Sequence, residues 1–241
     1  MNKLLKVFAM TLMLILGGQA MAQTRGAMFL SATFPMKDYA EFDGGNTFAL
    51  SSDYDNAGAG MGFNAGLKWY FGVGIKGLNV LLSVDGFYNG LNADAKDFYK
   101  DRQSFLDNLG SNVTMSTPKY INVPAMLGIN YTFRLNPQFA IYAEGGAGGN
   151  LRFITDYTEK YSDLLSVKHS ATVDYESAFG FAWQIGAGIE ISRNLVIGCS
   201  FYDLGTAEVK AEKTGDIITT PQPNGSSIHP VMVLGRIGFC F

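Results

Sequence analysis

The sequence has few cysteines, few histidines and little charge. Its 241 residues include two cysteines and two histidines, and 16% of them are charged. After the first residues no stretch approaches the ~20 consecutive apolar residues of a membrane-spanning helix. The 21 acidic and 18 basic residues include no basic cluster, which gives no support for nucleic-acid binding. The composition therefore argues against a disulfide framework, a helical membrane anchor and a nucleic-acid-binding protein.

The first 22 residues have the pattern of a cleaved secretory signal. Lys3 and Lys6 precede an apolar stretch over 7–16, and Ala20-Met21-Ala22 matches the small-x-small cleavage pattern. Removal of residues 1–22 leaves 241 − 22 = 219 residues, 23–241, enough for one domain, with a formal charge of 16 − 21 = −5. We expect export, and one domain over 23–241.

Eight segments with alternating apolar residues follow, which predicts eight β-strands. Their approximate positions are 27–34, 63–71, 79–88, 120–133, 139–152 (or as far as 157), 179–191, 195–202 and 231–241. Four long polar connections alternate with three short turns, and the loops span 35–60, 90–118, 157–177 and 203–227. A short surface helix is predicted at 94–109, and a bulge or bend at Pro124. An even number of strands with alternating short turns and long loops is typical of a transmembrane up-and-down β-barrel, with periplasmic turns and extracellular loops.

The polarity of the alternation favours lipid, rather than water, outside the barrel. In the sixth segment, large residues such as Phe179, Trp183 and Ile189 alternate with small or polar ones such as Gly180 and Gln184. A soluble barrel would bury the large side chains and carry many charges on its other face. By the same parity Cys199 faces outward and Cys240 inward, so we expect no disulfide.

Two short hairpins allow register predictions. A two-residue turn at Lys76-Gly77 would place Lys68 across from Asp85, Trp69 across from Val84 and Phe71 across from Leu82. A turn at 192–194 would pair Ile191 with Leu195 and Ile189 with Ile197.

Aromatic residues cluster near the ends of the predicted strands. The set near the short turns is Trp69, Tyr70, Phe71, Tyr131, Phe133, Phe239 and Phe241, and the set near the long loops is Tyr88, Tyr120, Phe179, Phe181 and Tyr202. Because such rings favour the membrane–water boundary, the two sets predict two aromatic girdles.

Two motifs carry a family resemblance over the whole processed chain: 120–128, YINVPAMLG, and the ending Gly238-Phe239-Cys240-Phe241. With the signal, they make the chain resemble small OmpA/OmpX-like outer-membrane barrels, in particular the Bacteroidetes barrel-domain proteins that include PorT-like sequences. The resemblance implies that Phe239 and Phe241 form the signal for the barrel-assembly machinery. Arg236 stands where that signal usually has glycine, and Gly235 lies one position early.

Polar residues on the inward faces are expected to form a structural network that fills the lumen, since eight strands enclose little more than side chains. They are Lys68, Asp85, Glu144, Gln184, Glu190 and Arg236. The glycine run 145–149 lacks the strand–turn–helix context of a phosphate loop, so close packing is expected there. No metal site, cofactor or catalytic residue is predicted.

Three classes of function remain open. The leading hypothesis is a non-catalytic outer-membrane protein whose loops bind an extracellular ligand or an envelope protein. The second is a small porin or a PorT-like, secretion-associated barrel. The third is a lipid-modifying enzyme at the rim, for which His169 and His229 are the histidines available as a base, neither in a recognisable motif. The expected partners are outer-membrane lipid and the assembly machinery.

Overall fold

The computed structural model describes residues 24–42, 57–163, 165–208, 210–215 and 227–241. The predicted signal segment lies outside these ranges. The barrel strands are β1 (Thr24–Met36), β2 (Ala59–Gly72), β3 (Leu78–Leu91), β5 (Tyr120–Arg134), β6 (Phe139–Ile154), β9 (Ala178–Ile191), β10 (Leu195–Asp203) and β14 (Val231–Cys240). They form a closed antiparallel barrel in the order β1-β14-β10-β9-β6-β5-β3-β2. The predicted eight-stranded up-and-down barrel is confirmed.

The long connections contain further structure. A 3-10 turn (Lys37–Tyr39) follows β1, and helix α1 (Ala93–Leu109) follows β3, close to the predicted helix. The additional strands are β4 (Gly110–Met115), β7 (Tyr157–Asp163), β8 (Lys168–Tyr175), β11 (Ala207–Glu208), β12 (Ala211–Gly215) and β13 (Ser227–Ile228). Among the described helical segments, none has the length and apolarity required to cross a bilayer.

A four-stranded sheet of order β12-β8-β7-β4 stands at the long-loop end of the barrel. These strands follow or precede β10, β9, β6 and β5, which are neighbours in the barrel in that same order. The sheet therefore prolongs one side of the barrel wall, and α1 packs against its β4 edge. The predicted loops 90–118, 157–177 and 203–227 are thus largely regular structure where they are described.

The register of the first hairpin differs from the prediction. Trp69 lies across from Leu82, Phe71 across from Val80, and Lys68 across from Ser83 rather than Asp85. The connection is five residues long, 73–77, and Gly74 and Gly77 both have positive φ angles of 81° and 83°. The chain thus turns over more residues than a Lys76-Gly77 turn allows. The shift of two residues leaves every side chain on its predicted face.

The other local predictions have mixed outcomes. The hairpin at 192–194 has the predicted register, with Ile191 across from Leu195. Of the bulge or bend predicted at Pro124, no bulge is found, since the β5 ladders with β3 and β6 keep one register on both sides of it; the pairing with β3 is interrupted at 123–124. Cys199 is exposed, Cys240 is buried, and both are free, as predicted.

Side chains fill the interior of the barrel. One buried apolar cluster lies toward the short turns, at Phe29, Tyr70, Leu81, Tyr142, Val196 and Cys240. A second, larger cluster lies toward the long loops and includes Phe87, Tyr120, Tyr202, Leu204 and Met232. Buried polar residues lie between and among these clusters.

Candidate functional site

A buried ion cluster crosses the middle of the lumen. The Glu144 carboxylate accepts hydrogen bonds from Lys68 Nζ at 2.5 Å and Arg236 Nη1 at 2.6 Å, both at Oε1. All three side chains are almost completely buried. The Phe29 ring lies 5.5 Å from Lys68 Nζ and 5.4 Å from Arg236 Cζ, within cation–π range of both. The cluster ties β2, β6 and β14 together across the barrel.

Asp85 belongs to the same layer through different partners. It accepts hydrogen bonds from Tyr202 at 3.1 Å and Asn64 at 3.4 Å, and Asn64 in turn accepts one from Ser31 at 3.2 Å. Gln184 Oε1 accepts a hydrogen bond from Lys68 Nζ at 3.3 Å. Within this layer two cations therefore face two carboxylates, Asp85 and Glu144, as a region of low dielectric requires.

Glu190, the sixth predicted residue, lies apart from this cluster near the short turns. Its Oε2 accepts a hydrogen bond from Arg25 Nη1 at 2.6 Å, and its Oε1 accepts one from Arg134 Nη2 at 3.0 Å. Sequence reasoning missed both arginines. Arg134 shares the inward parity of Asn130 and could have been recognised, whereas Arg25 precedes the predicted start of the first strand.

One residue of the girdle predicted near the short turns, Tyr70, lies inside the barrel rather than on its outer face. Tyr131 and Phe133 are about half exposed on the outer face, and Trp69 and Phe71 are partly exposed there. Tyr70 alternates with them and points into the lumen, where it is 8% exposed. Tyr120 and Tyr202, expected in the girdle near the loops, are also buried inside, whereas Phe179 and Phe181 are 68% and 65% exposed.

The long-loop end of the barrel is closed by packed side chains. Tyr120 donates a hydrogen bond to the Ala57 carbonyl, and its ring packs edge-on against Tyr39. The Arg152 guanidinium is buried and donates to the carbonyl oxygens of Ile228 at 2.6 Å and Gly205 at 2.9 Å. These contacts hold the segments around Ala57, Gly205 and Ile228 over the end of the lumen.

An ion pair holds helix α1 to the protruding sheet. Arg102 Nε donates to Glu159 Oε2 at 2.7 Å, and Arg102 Nη2 donates to Glu159 Oε1 at 3.2 Å. Tyr157 also donates to Glu159 at 2.5 Å, and the Tyr99 ring lies 5.7 Å from the Tyr157 ring. Burial is the main cause that raises the pKa of Tyr157 above its usual range, and the hydrogen bond to Glu159 adds to it. The sheet and helix are therefore packed together as one extension.

The two histidines lie in different surroundings. His229 Nε2 is 2.7 Å from Asp203 Oδ1 at the rim of the barrel, between β13 and β14. The His169 ring stacks on Tyr161 in the protruding sheet, with ring centres 4.9 Å apart. Within the described ranges no group of three or more potential metal ligands occurs. The glycine run 145–149 lies inside β6, with no helix after it.

These features define a closed, eight-stranded β-barrel with a packed interior, a large apolar exterior and a folded extension at one end. No protein-family model matches the sequence, and no curated protein sequence matches it. Several solved structures are similar at low identity. They include the attachment invasion locus protein Ail of Yersinia pestis (15% identity, 92% of this chain and 100% of that one, TM-score 0.40). Neisserial surface protein A (10%, 92% and 99%, 0.41) and OprG of Pseudomonas aeruginosa (12%, 90% and 94%, 0.40) are others.

Proposed function

We propose that this protein is an integral β-barrel of a Gram-negative outer membrane, which acts without catalysis by binding a partner through its extracellular extension. One observation carries the proposal: the outer face of the barrel strands exposes large apolar side chains. Leu127 and Ile129 are 52% and 63% exposed, and similar residues occur on each barrel strand. A monomer in water rarely exposes contiguous apolar surface of this extent.

The height of the apolar belt suits a bilayer. On β5 every second residue from Ile121 to Phe133 faces outward, over twelve residue steps. At about 3.4 Å per residue and a tilt of about 40°, this span covers about 30 Å along the barrel axis. That height is comparable to the hydrocarbon core of a bilayer, which is about 30 Å thick. The closed strand pairing also leaves no barrel edge unpaired in lipid.

The packed lumen supports a binding or structural role over transport. Lys68, Glu144 and Arg236 link strands across the middle of the barrel, and the apolar clusters lie on either side. A small porin or secretion-associated barrel would require this layer to open. The protruding sheet instead offers an ordered surface, held by Arg102 and Glu159, on the side that faces out of the cell when the short turns are periplasmic.

Membrane insertion is tested by fractionation and by gel mobility. We expect the protein to remain with membranes after an alkaline carbonate wash and, when purified in detergent, to migrate differently before and after boiling. A processed chain that stays monodisperse in buffer without detergent would contradict the proposal. In planar bilayers we expect no large, stable conductance.

Binding through the extension is tested by site-specific photocrosslinking in intact cells. A photoreactive residue at exposed Ser170 on β8 is compared with one at exposed Gln138 in a short turn. We expect a discrete crosslinked product only from position 170. Equal products from both positions, or from neither, would contradict binding through the sheet.

The contact between His229 and Asp203 is the observation that favours a rim-based enzyme as the second candidate. A carboxylate bonded to an imidazole can orient it as a general base. Assay of phospholipid and lipid A modification by the wild type and His229→Ala distinguishes the two functions. We expect no activity in either protein.

A further inference from the structure

A cavity of about 820 Å³ opens among the short turns, at the end of the barrel opposite the protruding sheet. Its walls include the ends of β1, β5 and β9 and the connections 73–77 and 192–194. Apolar surface comes from Tyr70, Tyr142 and Val196, which belong to the buried cluster at this end. The cavity thus has an apolar floor, and its mouth carries charged groups beside apolar ones such as Ile75 and Phe133.

The charge at this mouth is unbalanced. Of the described residues that line the cavity, Arg25, Lys76, Arg134 and Arg193 are cationic, and Glu190 carries the one side-chain carboxylate. Glu190 is 3% exposed, and each of its oxygens already accepts a hydrogen bond from one guanidinium. Four cations against one carboxylate leave an excess of three positive charges. This arrangement contrasts with the balanced layer in the middle of the lumen.

Two polar atoms in the cavity wall have no hydrogen-bond partner among the described residues. They are Arg134 Nη1 and the hydroxyl of Tyr142, and both are inaccessible to solvent. Tyr142 as a residue is 7% exposed. A buried donor without a partner costs free energy. Because neither atom is open to solvent, a ligand in the cavity gains a hydrogen bond from them only after a small side-chain movement.

We propose that this cavity binds a small organic anion with a phosphate or carboxylate group. The guanidinium groups of Arg25 and Arg134, which Glu190 holds in place, receive the anionic group, because a planar guanidinium matches both oxyanions. Arg193 and Lys76 add attraction at the mouth, and Tyr70, Tyr142 and Val196 contact the organic part. The ligand enters from the periplasmic side when the barrel has the orientation proposed above.

Isothermal titration of the full, folded chain in a nonionic detergent, whose head group carries no oxyanion, tests this site with three probes. Phenyl phosphate and benzoate present the two anionic groups on the same ring, and inorganic phosphate lacks the ring. We expect saturable binding of at least one aromatic anion, and phenyl phosphate should bind more tightly than inorganic phosphate because of the apolar floor. Comparison of phenyl phosphate with benzoate identifies the anionic group.

Matched variants locate the binding. Arg134→Gln should weaken binding by about tenfold, because it removes a charge. Tyr142→Phe removes only a hydroxyl and should also weaken binding. Lys100→Gln, which removes an exposed cation of α1 at the other end of the molecule, should leave binding unchanged. Lys76 lies in an exposed turn, and Lys76→Gln leaves the contacts of Glu190 intact. This variant therefore measures the contribution of positive charge to binding even if Arg134→Gln folds poorly.

The proposal fails if neither aromatic anion binds saturably, or if Lys100→Gln weakens binding as much as Lys76→Gln and Tyr142→Phe do. Heat-dependent gel mobility, measured on each sample, shows whether the barrel is closed. A closed barrel that binds no anion therefore overturns this site alone, whereas failure to form a barrel in detergent overturns the proposed function.

Discussion

Lys68 on β2 and Glu144 on β6 form a buried ion pair, 2.5 Å between Nζ and Oε1, although three steps around the barrel separate their strands. The pair fixes the distance across the lumen at a point where Phe29 and Arg236 also meet. Without Lys68, this buried layer would hold one cation, Arg236, against the two carboxylates Glu144 and Asp85, so one negative charge would lack compensation.

Lys68→Met should therefore lower the free energy of unfolding by about 3–5 kcal/mol. Urea unfolding in detergent micelles measures the effect, and the double variant Lys68→Met/Glu144→Gln should recover part of the loss. Lys100→Met, which breaks an exposed pair with Asp97, should leave stability almost unchanged. Equal losses from the Lys68 and Lys100 variants would show that the buried pair has no special role.

A charge on the outer face should be costly in the middle of the apolar belt. Leu127 lies midway along the outward residues of β5 and is half exposed. Leu127→Arg should destabilise the barrel in lipid vesicles by about 2–4 kcal/mol, since arginine then lies near the centre of the bilayer. Gln138→Arg in an exposed turn is the matched control and should have little effect. A smaller loss at 127 than at 138 would contradict a lipid-facing exterior.

Removal of the ion pair beneath α1 should loosen the extension but not the barrel. Glu159→Gln leaves Arg102 without its carboxylate partner. It also replaces the charged acceptor of the Tyr157 hydroxyl with a neutral amide. Local opening of α1 should become easier by about 3 kcal/mol, or roughly a hundredfold in amide exchange. Hydrogen exchange followed by mass spectrometry resolves α1 from the barrel strands. Uniform acceleration in both regions would mean that the extension is not a separate structural unit.

The extension should also lose stability at alkaline pH. Burial raises the pKa of Tyr175 to about 12, above the ordinary value of about 10 for a tyrosine. The unfolded chain ionises first, so the contribution of Tyr175 is fully present below pH 10 and is lost as pH rises toward 12. It amounts to about 2–3 kcal/mol from a shift of about two units. Over that interval the free energy of unfolding should fall more steeply for the wild type than for Tyr175→Phe. Between pH 7 and 9 the two slopes should match; a difference there would assign the effect to another group.

Period-two alternation was sufficient to predict the barrel strands and the face of most side chains. Lys68, Glu144 and Arg236 were assigned to the lumen because alternate residues of a strand lie on opposite faces, whatever the register. For the same reason an error of two residues in the first hairpin moved Lys68 from Asp85 to Ser83 without moving it out of the lumen. Tyr70, which was wrongly predicted to lie in the girdle, follows the same alternation: it is two residues from Lys68 on β2 and so lies on the same, inward face.

Contacts across the closed barrel depended on tertiary structure. Strand pairing along the sequence says nothing about which residues meet through the lumen, because closure and strand tilt set that distance. The ion pairs of Lys68 with Glu144, and of Glu190 with Arg25 and Arg134, could therefore be identified only from the tertiary structure. The protruding sheet was not predicted, because its strands are short and mostly polar in sequence, with only a few buried apolar residues such as Ala171 and Val173 on β8. Hydrophobic periodicity thus determined the barrel and its apolar exterior, while the ion pairs and the extension were decided by long-range packing.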